Sequence, residues 1–305
     1  MDCIPIVDFN DFLHGTIDDR ERVSNELIEV VKKFGFVYLR NYGIQKDLVS
    51  KLFIMMKEFF DQSIEKKLAV KKSHETFCGY DALLEEKLTN QRPADLKESY
   101  MIKQKGTPWP NEWQEFKEFM QMFHTRCYSL AIEILRSFAI GLDLDEGLFD
   151  TKFNNGDCAL LRILHYPPLP EYIEEKQIRA GEHTDYGALT ILFQDSVGGL
   201  EVQTTNGKWI PAPYYEDTVL INVGDVMEMW TNGLLKSTLH RVVNPPDERK
   251  LKPRYSTAFF CDPDLDAEIN CIENFISLNK PLKYPSKLYK DHILGKYRAT
   301  YATLT

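Results

Sequence analysis

The first sixty residues of the chain show two segments of helical periodicity on either side of a short apolar run. The first segment opens at Asp18 and Asp19, and Gly35 stands where its helix should end. Its apolar positions recur every three or four residues, at Val23, Leu27, Ile28, Val30 and Val31. Residues 36–39 combine aromatic and β-branched side chains and predict a strand. A second helix is predicted over residues 46–62.

The middle of the chain divides into a polar stretch and a long helix. Residues 71–107 are polar and irregular, and we expect a mobile lid there because loops of this length are often functional. Apolar residues recur at helical spacing from about Pro110 to Leu142, which predicts the longest helix. His124 lies in this helix, and we assign it no function because a lone histidine on an amphipathic helix is usually structural.

Beyond residue 157 the pattern changes to short apolar runs separated by Gly, Pro, Asn and Asp. The runs cover residues 158–164, 188–193, 199–203, 218–222, 225–230, 238–243 and 255–260. Strands at this spacing predict an all-β sandwich, barrel or jelly roll, and residues 286–300 predict a final helix. We expect one domain over residues 1–305, in which a helix-rich N-terminal wrap (1–156) surrounds a β core (157–262). A C-terminal segment (263–305) follows this core.

Composition and charge narrow the class of protein. Hydrophobic residues form 43% of the 305 residues, which suffices for a sizeable core and excludes a disordered or collagen-like chain. Lys and Arg number 37 against 46 Asp and Glu, and the net charge of −9 argues against binding nucleic acid or an anionic membrane. The six cysteines form no C-x-x-C pair, which predicts reduced thiols. With neither a secretory signal nor an apolar run of roughly 20 residues, we expect a cytoplasmic protein.

The candidate chemistry lies in the β-rich half. The sequence has no G-x-S-x-G elbow, P-loop or H-E-x-x-H motif. His183 and Asp185 are two residues apart, so in an extended chain they face the same side, although the same pair also fits an aspartate that orients a histidine at a turn. His240 is the best candidate for a third ligand. Two histidines and one carboxylate form the facial triad of non-haem Fe(II) oxygenases, which leaves positions open for a bidentate cosubstrate and dioxygen.

Arg254 and Ser256 begin the last predicted strand and also share a face. A guanidinium fork and a hydroxyl together suit a terminal carboxylate. Without the histidines and aspartate upstream, Arg254 would be interpreted as a surface residue at a strand start.

Several short motifs follow one another along nearly the whole chain. In the N-terminal half they are Ile4-Pro5-Ile6-Val7-Asp8, Gly35-Phe36-Val37-Tyr38-Leu39, Asn41-Tyr42-Gly43-Ile44 and Asp95-Leu96-Lys97-Glu98. In the β-rich half they are Leu161-Arg162-Ile163-Leu164-His165-Tyr166-Pro167, His183-x-Asp185, Gly198-Gly199-Leu200-Glu201-Val202, Asn222-Val223-Gly224-Asp225, His240-Arg241-Val242 and Arg254-x-Ser256. Together, and in this order, they resemble the isopenicillin-N-synthase-like family of 2-oxoglutarate- and Fe(II)-dependent dioxygenases.

The resemblance implies an α+β fold: a double-stranded β-helix (a distorted jelly roll) with N-terminal supporting helices and a C-terminal helix. It implies Fe(II), 2-oxoglutarate and O2 as cofactor and cosubstrates, with ascorbate as a candidate reductant. The site residues that it implies are the iron ligands His183, Asp185 and His240, the 2-oxoglutarate contacts Arg254, Ser256 and Tyr166, and Phe260 at the substrate pocket. The chain departs from the family pattern at Leu164, a position that is commonly Asn in plant relatives, and in a longer spacing between His240 and Arg254.

Three functions are compatible with these residues. The favoured one is oxidation, above all hydroxylation, of a small organic molecule with release of succinate and CO2. The alternatives are a 2-oxoglutarate-independent oxidase of the same group and a non-catalytic β-helix binding protein, against which the intact triad argues. We expect a monomer whose substrate is selected by residues 77–100 and by the pocket side of the β core.

Overall fold

A computed structural model of the protein describes residues 3–73, 76–88, 92–153 and 156–301. In these ranges the helices are α1 (Asn10–His14), α2 (Ile17–Phe34), α3 (Lys46–Phe60), α4 (Ile64–Leu68), α5 (Gln114–Gly141), α6 (Asp225–Trp230) and α7 (Tyr289–Tyr301). The first strands are β1 (Ile6–Asp8), β2 (Phe36–Arg40), β3 (Gly79–Asp81), β4 (Glu98–Ile102), β5 (Leu160–Tyr166), β6 (Ala180–His183) and β7 (Leu189–Gln194). The remaining strands are β8 (Leu200–Gln203), β9 (Trp209–Pro211), β10 (Thr218–Val223), β11 (His240–Val242), β12 (Arg254–Cys261), β13 (Glu268–Ile269) and β14 (Lys287–Leu288).

The first long helix begins and ends where the sequence predicts. A capping box starts α2, in which the Thr16 hydroxyl accepts a hydrogen bond from the Asp19 backbone N–H and the Asp19 carboxylate accepts one from the Thr16 N–H. Gly35 ends the helix in the left-handed region (φ 69°), which an L side chain rarely adopts. The turn leads directly into β2, so the predicted helix and strand are both confirmed.

Two sheets form the β-rich half of the molecule. The main sheet has the strand order β1-β2-β10-β7-β12-β5-β4-β3, and the smaller sheet has the order β6-β11-β8-β9. From β5 to β12 the chain passes repeatedly from one sheet to the other, which is the connectivity of a double-stranded β-helix. Apolar side chains of both sheets share one core cluster, which includes Leu164, Ala180, Leu200, Val242 and Ala258. The predicted α+β fold with a jelly-roll core is therefore confirmed.

The helices cover the other face of the main sheet. The long helix α5 packs against α2 and against β7 and β12. Its fully buried Phe123 lies 5.4 Å from Phe193 of β7, measured between ring centroids. This second core cluster lies between the helices and the main sheet, on the face of the sheet opposite the site.

The prediction of a polar, irregular segment at residues 71–107 is wrong in part. The strands β3 and β4 lie in this segment and extend the main sheet, and every residue of both strands is buried. Charges beside these strands are buried as ion pairs, with Lys97 2.8 Å from Asp95 and 3.1 Å from Glu86. The polarity of these residues therefore reflects internal pairing and not solvent exposure. Part of the expected lid, residues 74–75 and 89–91, lies outside the described residues.

Other element predictions differ from the structure in smaller ways. The apolar run 225–230 is helix α6 and not a strand. Four of its six side chains are buried, so the apolar residues lie on several sides of the helix and the short run shows no helical periodicity. The long helix begins at Gln114, four residues after Pro110. The short strands β6 and β9 were not predicted.

Among the described residues, no helix is long and apolar enough to cross a membrane. All six cysteines are free thiols, and Cys78, Cys127 and Cys261 are buried.

Candidate metal centre and adjoining pockets

Three metal-binding side chains converge at the ends of β6 and β11. His183 is the last residue of β6 and His240 the first of β11, and the antiparallel register places them opposite each other with ring centroids 4.2 Å apart. Asp185 follows β6 by two residues, and its Oδ1 lies 4.0 Å from His183 Nε2 and 3.6 Å from His240 Nε2. One ligand atom from each of the three residues lies within 4.8 Å of the others.

Hydrogen bonds orient each of these side chains. The Nδ1 atoms of His183 and His240 donate to the carbonyl oxygens of Gly181 (2.8 Å) and Thr238 (3.1 Å), which leaves both Nε2 lone pairs facing Asp185. Asp185 Oδ2 accepts hydrogen bonds from Thr190 Oγ1 (2.5 Å) and Asn222 Nδ2 (2.7 Å). The three metal-binding atoms, Nε2 of His183, Nε2 of His240 and Oδ1 of Asp185, therefore point to a common side.

The start of α6 fixes the loop that carries Asp185. The backbone N–H of Asp225 donates to the Asp185 carbonyl (2.8 Å), and that of Gly224 donates to the Ala188 carbonyl (3.0 Å). A Cβ atom at Gly224 would lie only 2.2 Å from the Gly187 carbonyl oxygen, so this close approach requires glycine. The Asn222-Val223-Gly224-Asp225 motif therefore holds the aspartate both through the Asn222 side chain and through the backbone.

The electrostatics of the cluster suit a divalent cation. Burial and the neighbouring His240 lower the pKa of His183 well below its ordinary value, so the imidazole is neutral and able to ligate. Burial by itself would raise the pKa of Asp185, but the two imidazoles and the hydrogen bonds from Asn222 and Thr190 outweigh it and lower the pKa. Two neutral nitrogen donors and one carboxylate oxygen on one side of a site fit Fe(II) with open coordination positions.

A buried arginine lies on the same side of the main sheet as the cluster. Arg254 is 1% exposed, and its Nη1 and Nη2 donate to Ser256 Oγ and Gln194 Oε1, both at 3.1 Å. Its guanidinium carbon lies 4.8 Å from the centre of the Tyr166 ring, on the strand that pairs with β12. The buried Nε atom has no hydrogen-bond partner. An unsatisfied guanidinium N–H in this position is suited to an anionic ligand.

A second buried arginine, Arg179, was missed by sequence reasoning. It is fully buried, donates one hydrogen bond to the Lys252 carbonyl (3.0 Å), and has no partner at Nε and Nη1. Burial, followed by the proximity of Arg254, lowers the pKa of Arg179 to about 10. No pattern in the sequence marks it, because an arginine beside a short, unpredicted strand resembles any surface residue.

Two adjoining hollows meet at the histidine and aspartate cluster. The inner hollow is lined by all seven residues that sequence analysis assigned to the site: Tyr166, His183, Asp185, His240, Arg254, Ser256 and Phe260. The outer hollow shares Leu88, Arg162, His183, Asp185 and Phe260 with it, and is otherwise lined by side chains that include Tyr186, Asp262, Ile293 and Tyr297. Helix α7 contributes the last two residues, so the C-terminal helix forms one wall of the outer hollow.

A network of buried charges supports the boundary between the hollows. Arg162 donates to both carboxylate oxygens of Glu86 (3.2 and 2.5 Å) and to Ser99 Oγ. Glu86 is also paired with Lys97, whose other partner, Asp95, accepts a hydrogen bond from the Gly181 N–H (2.9 Å). The network connects β4 and β5 to the strand that carries His183. The sequence indicated Arg162 and the Asp95–Glu98 stretch only as parts of motifs.

Two histidines that we assigned no ligand role lie apart from the cluster. His165 Nδ1 bonds Glu98 Oε1 at 2.7 Å, and its ring stacks on Tyr255. His124 Nε2 donates to the Ala159 carbonyl (2.9 Å), and burial lowers the pKa of His124. Both are structural.

A double-stranded β-helix with a two-histidine, one-carboxylate cluster and a buried arginine nearby defines the class of non-haem Fe(II) oxygenases. Residues 157–263 match the 2OG-Fe(II) oxygenase superfamily, and residues 4–121 match the family described as non-haem dioxygenase in morphine synthesis N-terminal. The chain is 33% identical to the 2-oxoglutarate-Fe(II) type oxidoreductase ppzD of Metarhizium rileyi, over 91% of this chain and 86% of that protein.

Solved structures agree with the sequence matches. A full-length Neurospora crassa protein, crystallised in complex with alpha-KG and thymine, superposes with a TM-score of 0.90 at 37% identity, and the match covers 97% of this chain and 96% of that one. A further relative, the proline hydroxylase buaE of Petromyces alliaceus, is 31% identical over 92% of this chain and 94% of that protein. The chain belongs to the 2OG-Fe(II) oxygenase superfamily, and the resemblance found in the sequence is confirmed.

The protein is therefore a 2-oxoglutarate-dependent dioxygenase that uses Fe(II), 2-oxoglutarate and O2 to oxidise a small organic molecule, with release of succinate and CO2. This is the function that the sequence analysis favoured over a 2-oxoglutarate-independent oxidase and a non-catalytic binding protein.

Proposed function

We propose that His183, Asp185 and His240 are the ligands of Fe(II). The observation that carries this proposal is their convergence, with three ligand atoms within 4.8 Å of one another on two paired strands and the loop between the sheets. The carbonyl partners of both imidazoles and the two donors on Asp185 hold the ligands in this arrangement. Loss of such partners commonly lowers metal affinity on the order of 10- to 100-fold.

We also propose that the inner hollow binds 2-oxoglutarate. Arg254 and Ser256 lie on one face of β12, and the unpartnered Nε of Arg254 offers a charge-assisted hydrogen bond to the carboxylate remote from the iron. The Tyr166 ring packs against the guanidinium and contributes to the wall of the hollow. When bound, the iron would activate O2, which is the oxidant, and 2-oxoglutarate would supply two of the four electrons that reduce it, while the mostly apolar walls exclude water from the reacting groups.

The outer hollow is the proposed substrate site. The aromatic rings of Phe260, Tyr186 and Tyr297 favour a flat molecule. The similar Neurospora crassa structure contains thymine, which is a flat nitrogen heterocycle. We propose a pyrimidine-type heterocycle as the substrate class, and oxidation at a C–H group that faces the iron.

The wider setting follows from charge and composition. We propose that the protein acts in the cytoplasm as a monomer. Its net charge of −9 also argues against binding to nucleic acid or to an anionic membrane. The single-domain organisation over residues 1–305 is likewise a proposal.

The proposal for the metal is tested by Fe(II) titration under anaerobic conditions. His183→Ala, Asp185→Ala and His240→Ala should each abolish stoichiometric binding and turnover while circular dichroism shows an intact fold. His14→Ala, at an exposed histidine in α1, is the matched control and should bind one Fe(II) per chain. Full-strength binding in all three ligand variants would refute the assignment.

The substrate class is tested by succinate release from 2-oxoglutarate over a panel of thymine, 5-formyluracil, uracil, proline and homoarginine. Stimulation by the pyrimidines above the others is expected. Stimulation by the amino acids alone would refute the pyrimidine class and leave the metal assignment unaffected.

A further inference from the structure

Asp262 lies in the outer hollow at a position for which a glycine makes room. It follows β12 directly, lines the hollow together with Asp185 and Tyr186, and packs against the backbone at Gly187. A Cβ atom at Gly187 would lie 2.0 Å from Asp262 Oδ1, so the carboxylate can hold this position only beside glycine. The Cys261 carbonyl accepts a hydrogen bond from the Ala188 N–H (3.1 Å), which ties this end of β12 to the loop that carries Asp185.

The carboxylate of Asp262 is poorly satisfied by the described part of the chain. No salt bridge to Asp262 is found there, and the buried Tyr289 hydroxyl beside it lowers the pKa of the carboxyl without a hydrogen bond of normal geometry. Burial raises the pKa of Asp262 to about 6, against the opposing effects of Tyr289 and Lys103, so the group is mostly ionised at neutral pH. An ionised acceptor that lines a hollow and lacks a well-placed donor is a group that a ligand can satisfy.

The side chain of Arg162 lines the same hollow and has the opposite hydrogen-bonding capacity. Arg162 carries only N–H donors, whereas an ionised Asp262 can only accept. Because the Arg162 N–H groups already donate to Glu86 and Ser99, a ring N–H that enters the hollow meets its acceptor at Asp262. The triad and the Arg254 site make no use of Asp262.

We propose that Asp262 is a specificity-determining residue that accepts a hydrogen bond from a ring N–H of the substrate. This inference rests on the proposed function, because it assumes that the substrate lies in the outer hollow. The hydrogen bond selects nitrogen heterocycles with a free N–H over N-alkylated or carbocyclic analogues. A site built to bind an N–H rejects an analogue without it, because the carboxylate would remain unpaired under the bound ring.

Calorimetric binding of thymine, 1-methylthymine and 3-methylthymine to the anaerobic protein with Fe(II) and 2-oxoglutarate tests the proposal. For the wild type, one of the two methylated compounds should bind about 10- to 100-fold more weakly than thymine. Asp262→Asn should weaken thymine binding by a similar factor and should no longer distinguish thymine from that methylated compound. Asp266→Asn, at an exposed residue of the same loop, is the matched control and should behave as the wild type.

The outcomes separate this proposal from the proposed function. Equal affinity of the wild type for thymine and both methylated compounds would overturn the role of Asp262. This measurement uses only the wild-type protein, so it does not depend on whether a variant folds. Unchanged affinity and discrimination in Asp262→Asn would overturn it as well. If no pyrimidine binds the wild type, the proposed substrate class is refuted. The role of Asp262 is then tested by comparing the panel compound that does bind with its N-methylated form, in the wild type and in Asp262→Asn. The 2-oxoglutarate affinity of Asp262→Asn should stay unchanged, whereas a general defect of the site would lower it.

Discussion

Replacement of Arg254 by Lys should weaken the binding of 2-oxoglutarate and leave Fe(II) binding intact. Arg254 uses Nη1 and Nη2 on Ser256 and Gln194, holds Nε free, and lies over the Tyr166 ring. Lysine keeps the positive charge, but its ammonium is a point charge that cannot reproduce the planar fork or its stacking on an aromatic ring.

The magnitude follows from the contacts that would be lost. A hydrogen bond to a charged group is worth about 1.5–3 kcal/mol, and the ammonium retains part of the Coulombic attraction, so we expect a net loss of about 1–3 kcal/mol. This corresponds to a dissociation constant for 2-oxoglutarate raised about 5- to 150-fold, since about 1.4 kcal/mol is a factor of ten.

The assay is calorimetric titration of 2-oxoglutarate into the anaerobic Fe(II) protein, with the melting temperature of each variant as a check on folding. Arg241→Lys is the matched control. Arg241 bonds Glu182 (3.1 Å) and Glu201 (2.8 Å) and lies over Trp209, and it does not line the inner hollow. Weaker 2-oxoglutarate binding in Arg241→Lys but not in Arg254→Lys would show that the wrong arginine has been assigned.

Two further predictions concern the outer hollow and the charges beside it. Phe260→Ala should raise the substrate KM or the ratio of succinate to product. It should cost less stability than Phe259→Ala, for which we expect a loss of about 3–5 kcal/mol because Phe259 is fully buried on the opposite face of β12. Equal stability losses in the two variants, with succinate and product still formed in equal amounts, would contradict the pocket role. Glu86→Gln should lower the free energy of unfolding by about 3–5 kcal/mol at neutral pH, because Arg162 and Lys97 lose their buried counter-charge. The control Glu85→Gln removes an exposed ion pair and should cost less than about 1 kcal/mol. Burial by itself would raise the pKa of Glu86, but the two cations hold it below its usual range, so the stabilisation is complete above the unfolded pKa of about 4.3 and is lost as the pH falls further. Urea unfolding should therefore show a smaller difference between wild type and Glu86→Gln at low pH, and a constant difference would count against this explanation.

The helices and most strands can be predicted because their signals are local. Helix α2 is specified by its apolar spacing and by residues at its two ends, and β12 by an apolar run in which alternate residues face the site. The candidate residues of the site are found in the same way, since His183 and Asp185 are close in sequence and Arg254 and Ser256 share a face of one strand. The position of His240 near His183 is inferred from the resemblance and from the donor set, and the strand register places the two opposite each other.

The fold family, the reaction class and the residues available for chemistry thus follow from the amino-acid sequence alone. Which polar groups are buried, and which of them lack a partner, depends on the assembled strands and helices. Glu86 and Arg162 are 76 residues apart in the chain, and Asp262 meets Gly187 across the end of two strands. Whether a charge is paired, solvated or left unsatisfied is set by such distant neighbours, and a local pattern carries no information about them. For this reason the sequence predicts a loop over residues 71–107, and neither Arg179 nor Asp262 can be recognised before the strands are assembled.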